Sequence, residues 1–204
     1  MPVELLFPTL IYSAPLARRV PGLNARLLRE CLQLREDDAA GRRWSERRYP
    51  GGFTSYGSVH RLHEISPTFD DLRVKLDGHV RRYARALQLD LSGRRLAMTD
   101  CWVNIMPHQV THGLHVHPLS TISGTYYVRT PARCSPLKFE DPRLAGYMAA
   151  PPRRPQAPRA MQPWVSVPAR AGRVVLFESW LRHEVPPNPS AGERISISFN
   201  YNWF

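Results

Sequence analysis

At 204 residues, with 43% hydrophobic residues and five tryptophans, the chain suits one domain with a sizeable core. It is too short for a second full domain and too apolar for a disordered protein. The net charge of +11 is carried almost wholly by arginine, with Lys75 and Lys138 the lysines. Such a charge invites an acidic or nucleic-acid partner. The arginines are scattered through predicted helices, loops and strands, however, and form no single stripe. That favours arginine as the general surface cation, with nucleic acid an unlikely partner. Cys31, Cys101 and Cys134 are odd in number and widely spaced, which suits buried or idle thiols in a reducing compartment better than a disulfide or zinc framework.

The apolar start, VELLFPTLIYSAPLA, lacks a basic flank, contains prolines and is too short to span a bilayer. It reads as an opening strand, and a cytoplasmic protein without a membrane segment is expected. Residues 22–40 predict a helix with Leu27, Leu28, Cys31 and Leu34 on one face. The stretch WSERRYPGGFTSYGSVHRL reads as turn-rich, broken at Pro50, Gly51 and Gly52. A second helix is expected from the N-cap and N1 pair Ser66-Pro67 to about residue 88, with Phe69, Leu72, Leu76, Val80, Tyr83 and Leu87 at helical spacing. Residues 1–94 are thus strand and helical support.

From residue 95 the texture turns β-rich. The runs LAMTDCWVNIM, STISGTYYVRT, LKFED, WVSVPA, RVVLFE and RISISFNYNW are short and separated by turn residues, which favours a sandwich or barrel over βαβ units. The proline- and arginine-rich stretch 149–164 reads as a lid or an insertion. In RISISFNYN, Arg194, Ser196, Ser198 and Asn200 alternate with Ile195, Ile197, Phe199 and Tyr201, so one face packs and the other lines something polar.

Two histidines one residue apart, His115 and His117, precede that strand, and His183 follows RVVLFESW. On a strand, i and i+2 side chains share a side, so His115 and His117 can aim into one cavity. Neutral imidazoles ligate iron, zinc, copper or nickel, and Arg194 with Ser196 offers a charged anchor for a small carboxylate. His108 and His112, just upstream, are either substitute ligands or exposed side chains.

The pattern HxHP, then SGxYYV, then H…RxS closing a β-rich half resembles the iron(II)/2-oxoglutarate-dependent oxygenases. More closely, it is similar to the bacterial and phage 2OG-Fe(II) oxygenase family, with further likeness in ELLFPTLIY, GGFTSYGS, WVNIM, FEDPR and LFESWLRHEVPPN. The resemblance implies a double-stranded β-helix, or jelly roll, with the two helices packed on one sheet. It also implies iron(II) as metal and 2-oxoglutarate as cosubstrate. His115 and His183 would then be metal ligands with His117 between them, and Arg194 and Ser196 would hold the far carboxylate of 2-oxoglutarate. Tyr127 and Asn104 are either further polar contacts in the barrel or packing. The wider superfamily uses His-x-Asp/Glu…His, and position 117 is a histidine; Glu140, Asp141, Glu178 and Glu184 are the alternative sources of a carboxylate, although Asp141 also suits a turn ahead of Pro142. The expected reaction is hydroxylation of a small molecule, amino acid or peptide. A nucleic-acid demethylase of the same superfamily would carry a second arginine six residues after the first, where Asn200 stands. A cupin-like metal-binding or sensor protein, and a structural barrel whose Arg194 pairs with a core carboxylate, are the alternatives.

Overall fold

The computed structural model describes residues 3–16 and 22–204. In chain order the elements are β1 (Tyr12–Pro15), α1 (Leu23–Asp37), α2 (Ala39–Arg48), β2 (Phe53–Thr54), α3 (Leu62–Ile65), α4 (Pro67–Ala86), β3 (Leu96–Met106), β4 (His112–His115), β5 (Ile122–Arg129), β6 (Leu137–Glu140), β7 (Trp164–Val167), β8 (Arg173–Glu178), β9 (His183–Val185) and β10 (Arg194–Trp203). The strands form a six-stranded sheet, ordered β1-β8-β5-β10-β3-β2, and a four-stranded sheet, β4-β9-β6-β7. All the ladders are antiparallel.

Alternation along the long strands makes two cores. On one face of the large sheet, Val103, Ile105, Leu176, Ile197 and Phe199 pack against Leu27 and Cys31 of α1 and Leu72, Leu76 and Tyr83 of α4. On its other face, Met106, Tyr127, Val175 and Phe177 meet Leu137, Phe139, Val167 and Val185 of the small sheet. This is a mainly β, two-sheet jelly roll with helices covering one outer face.

Both predicted helices form, α1 and α4. Ser66 Oγ accepts from Phe69 N at 3.4 Å and Pro67 sits in the first turn, the pairing that satisfies one otherwise orphaned amide while using a residue that has none. The turn-rich reading of 44–62 holds from Tyr49 onward, but residues 44–48 belong to a further helix, α2. α2 runs through Arg48, capped by Asp38, whose Oδ1 accepts from Gly41 N at 2.7 Å. It buries only Gly41 and Ser45, so it shows no apolar stripe in the sequence. The opening strand is also shorter than expected. Only Tyr12–Pro15 pairs, with β8, while residues 3–11 run outside the sheets and residue 17 lies outside the described residues.

Stretch 149–164 carries a single 3-10 turn, Arg159–Met161. Arg159, Ala160 and Gln162 line a cavity of about 490 Å³ shared with the 5–13 segment, and no residue of the stretch lines the histidine cavity. All three cysteines are free, Cys31 and Cys101 buried and Cys134 partly so. Burial pushes the Cys31 and Cys101 thiols well up, so both are inert at neutral pH. Among the described residues, no helix is long and apolar enough to cross a membrane.

Candidate metal and anion site

The two sheets bring different chemistry to one cavity. From the small sheet, His115 at the end of β4 stands directly across the ladder from His183 at the start of β9. His117 lies beyond the strand, held by its amide donating to the Ser179 carbonyl at 3.0 Å. The His115–His117 pairing therefore comes from a strand end and the turn after it, not from strand alternation alone. One ligand atom from each of His115, His117 and His183 lies within 4.8 Å of the other two.

Two of these rings are oriented by their own backbone. His115 Nδ1 donates to the Gly113 carbonyl at 2.7 Å, and His183 Nδ1 donates to the Leu181 carbonyl at 2.8 Å. A carbonyl only accepts, so each ring carries its proton on Nδ1 and turns an Nε2 lone pair inward, the orientation usual for metal-ligating histidines. His117 Nε2 approaches His183 Nε2 at 3.3 Å. Burial, with neighbouring histidines adding to it, pushes His117 and His183 down to about 3 and lowers His115 as well. All three are neutral near pH 7 and available as ligands.

No carboxylate joins this cluster among the described residues. Glu140 pairs with Arg182 at 3.0 Å, Glu184 with Lys138 at 2.8 Å and Asp141 with Arg143 at 2.8 Å. Tyr147 Oη also donates to Asp141, fixing it in the turn ahead of Pro142. His108 is turned away toward the Ser190 carbonyl. His112, by contrast, stacks on His115 with ring centroids 4.5 Å apart, a partly buried neighbour of the cluster and not an exposed side chain.

The large sheet brings the anchor. Arg194 is 2% exposed. Its Nε donates to the Ser135 carbonyl and its Nη1 to Ser196 Oγ, both at 3.2 Å, and its guanidinium lies 5.0 Å from the Tyr127 ring centroid. Among the described residues no carboxylate lies within ion-pair distance of it. Ser196 on β10 stands between Asn104 on β3 and Tyr127 on β5, so the register gathers these three residues at one level of the sheet, with Arg194 two residues away on the same face of β10. Asn104 Nδ2 donates to Ser198 Oγ at 3.0 Å, while Asn104 Oδ1, Thr125 Oγ1, Tyr127 Oη and Tyr49 Oη are buried without a hydrogen-bond partner. Each such orphan typically costs about 1–3 kcal/mol, which a polar ligand would recover.

Asn104, His115, His117, His183, Arg194 and Ser196 thus line a common cavity of about 40 Å³, with Tyr127 beneath the guanidinium. Trp102, Thr125 and Tyr49 are parts of the surroundings that motif reading does not single out. Trp102 shares the inward face of β3 with Asn104 and Met106, and Thr125 that of β5 with Tyr127, so alternation from either known residue identifies both.

Comparison with curated proteins gives no match. Solved structures of similar fold include SnoN, a non-haem alpha-ketoglutarate-dependent epimerase from nogalamycin biosynthesis, with TM-score 0.63 and 17% identity over 96% of this chain and 78% of that one. They also include a Pseudomonas putida prolyl-4-hydroxylase, with TM-score 0.60 and 15% identity over 94% of this chain and 91% of that one. A third is HygX from Streptomyces hygroscopicus, solved with nickel and 2-oxoglutarate, with TM-score 0.60 and 14% identity over 96% and 82%. Such identities speak to the fold alone. Residues 100–200, which hold every residue of the cavity just described, match the family described as "Putative 2OG-Fe(II) oxygenase", and the chain belongs to that family.

Proposed function

We propose that the protein is a non-haem iron(II)- and 2-oxoglutarate-dependent oxygenase that hydroxylates a small molecule, amino acid or peptide. The observation that carries this reading is the buried, carboxylate-free guanidinium of Arg194 beside three converging imidazoles. A buried cation without a counter-charge is expensive, and an anionic cosubstrate supplies the missing partner. The donor set fits the metal too. Three imidazoles with at least two inward lone pairs suit a divalent transition ion and leave coordination positions open.

In this reading His115, His117 and His183 hold iron(II), which when bound supplies oxygen activation coupled to decarboxylation of the 2-oxo acid. Arg194 fixes the far carboxylate of 2-oxoglutarate by charge-assisted hydrogen bonds in a low-dielectric setting, and Ser196 adds a hydroxyl to the same group. Tyr127 and Thr125 offer unpaired hydroxyls on the same side, and Asn104 offers an unpaired amide oxygen to a donor. Leu137, Phe177 and Val185 complete the lining and keep bulk water from these contacts. Two tasks are thereby separated: the small sheet and the turn after β4 carry the imidazoles, and the large sheet binds and orients the acid.

Because all three ligands are imidazoles, zinc or nickel would fit as well, and a cupin-like metal-binding or sensor protein is the second reading. Anaerobic titration with iron(II) and then 2-oxoglutarate separates the two. The oxygenase develops a visible metal-to-ligand band and forms succinate when oxygen is admitted. Iron binding with neither band nor succinate would leave the sensor.

A further inference from the structure

A second cavity, of about 150 Å³, opens on the other side of the histidines. It shares Trp102, His112, His115 and His117 with the inner one, so a molecule within it lies against the metal candidates without displacing anything at Arg194. Its walls are a relay of rings. Trp44 of α2 meets Tyr56 edge-on with centroids 6.4 Å apart, Tyr56 lies 5.0 Å from Trp102, and Trp102 lies 5.7 Å from His117. Trp44 is held in place by the turn beneath it, since a Cβ at Gly57 would run into its indole ring. Tyr56 is 49% exposed and forms the outer lip.

Charge at this mouth has one sign. Arg48 lines the cavity, one helical turn beyond Trp44 and on the same face of α2. Arg43 and Arg47 join Trp44 and Arg48 in an adjoining surface hollow. None of these three arginines has an ion-pair partner among the described residues, and no carboxylate lines either cavity. Aromatic walls alone would also suit a quaternary ammonium; the guanidinium groups repel one. Aromatic faces bind planar rings by stacking and edge contacts, and arginine binds carboxylate or phosphate.

We propose that this site takes a small molecule bearing a planar ring and an anionic group, the ring seated among Trp44, Tyr56 and Trp102 and the anion facing Arg48. As an identification of the substrate class this rests on the oxygenase reading; as a binding site it does not. The test uses the metal-free protein, with tryptophan fluorescence and calorimetry as readouts. Four probes hold the ring constant: phenylacetate, phenyl phosphate, benzyl alcohol and benzylamine. At least one acid binds saturably and roughly tenfold or more tighter than the alcohol or the amine, the scale of one charge-assisted contact. Whichever acid is preferred identifies the anion as carboxylate or phosphate. Arg48→Gln, on an exposed helix face, removes the preference for acids, Tyr56→Ala weakens all ring probes, and Arg194→Met changes neither.

Equal binding of acidic, neutral and cationic probes overturns the proposal. So does a preference that survives Arg48→Gln, one that vanishes in Arg194→Met, or the absence of any acid binding. Succinate formation from 2-oxoglutarate by the iron-loaded protein is scored separately. Succinate without acid binding sinks this inference and leaves the oxygenase; acid-selective binding at Arg48 without succinate does the reverse.

Discussion

Replacing Arg194 by methionine separates an anion anchor from a structural arginine, because the two roles predict opposite balances of stability and binding. Were Arg194 half of a buried ion pair, removing it would strand a carboxylate and cost about 3–5 kcal/mol. No carboxylate of the described residues partners it, so the variant loses hydrogen bonds to the Ser135 carbonyl and Ser196 Oγ and the contact over Tyr127. In return it is relieved of a desolvated charge at a site 2% exposed. Those effects oppose each other, and the ligand-free variant should lie within about 2 kcal/mol of wild type. Affinity for 2-oxoglutarate behaves differently. A single hydrogen bond to a charged group contributes about 1.5–3 kcal/mol, so binding should weaken by at least about 10- to 150-fold. Iron(II) binding should persist, since His115 and His183 sit on the other sheet and His117 in the turn after β4. Urea denaturation of the ligand-free protein and calorimetry with 2-oxoglutarate read the two quantities. A loss of more than about 3 kcal/mol in stability with unchanged 2-oxoglutarate affinity would refute the assignment.

His183→Ala should weaken iron(II) or zinc binding by at least about 100-fold, beyond the 10- to 100-fold typical of losing an outer partner. Calorimetry in a chelator-buffered titration measures it, and unchanged affinity would exclude His183 as a ligand. Gly124→Ala should destabilise by about 1–3 kcal/mol, because its Cβ would lie 2.6 Å from both Leu176 Cδ2 and Phe199 Cε2; chemical denaturation detects this, and a neutral effect would mean that the core around β5 yields. Arg143, with Tyr147, holds the Asp141 carboxyl down at about 2, so this group contributes stability above its ordinary value of 3.8 that is lost as pH falls toward 2. Asp141→Asn should therefore flatten the decline in denaturation midpoint between pH 4 and pH 2, and an unaltered decline would count against the pairing.

What could be read from sequence depended on how strongly each segment is constrained on both sides. The predicted runs for β3, β8 and β10 match their observed bounds. In β10 the alternation is unusually legible because helices cover one face and the polar cavity faces the other. The helix α2 left no such trace, since it buries only glycine and serine. The 3–11 segment is apolar but pairs with nothing in the sheets, so β-propensity alone overextended β1. His115 and His117 were matched by strand alternation, whereas the chain has left β4 by residue 117 and the Ser179 carbonyl sets the second ring's position. Tyr127 and Asn104 stood out by type, but only the register that puts Ser196 between them shows why these two and not Tyr126 face inward.

The third imidazole and the unpaired arginine belong to one electrostatic arrangement. A carboxylate at position 117 would cancel one charge of a divalent metal and would also place a negative group in the cavity that Arg194 enters. With His117 there, the cavity has neutral imidazoles at one end and a full positive charge at the other, and no carboxylate of the described residues pairs with the guanidinium or joins the imidazoles. At the low effective dielectric of a buried cavity such charges are strongly felt, so neutralisation is left to whatever binds between the sheets. A dianion with one acid group near the histidines and another near Arg194 answers both at once. Departure from the usual ligand at 117 therefore does not weaken the case for an anionic cosubstrate; it makes the cavity more dependent on one.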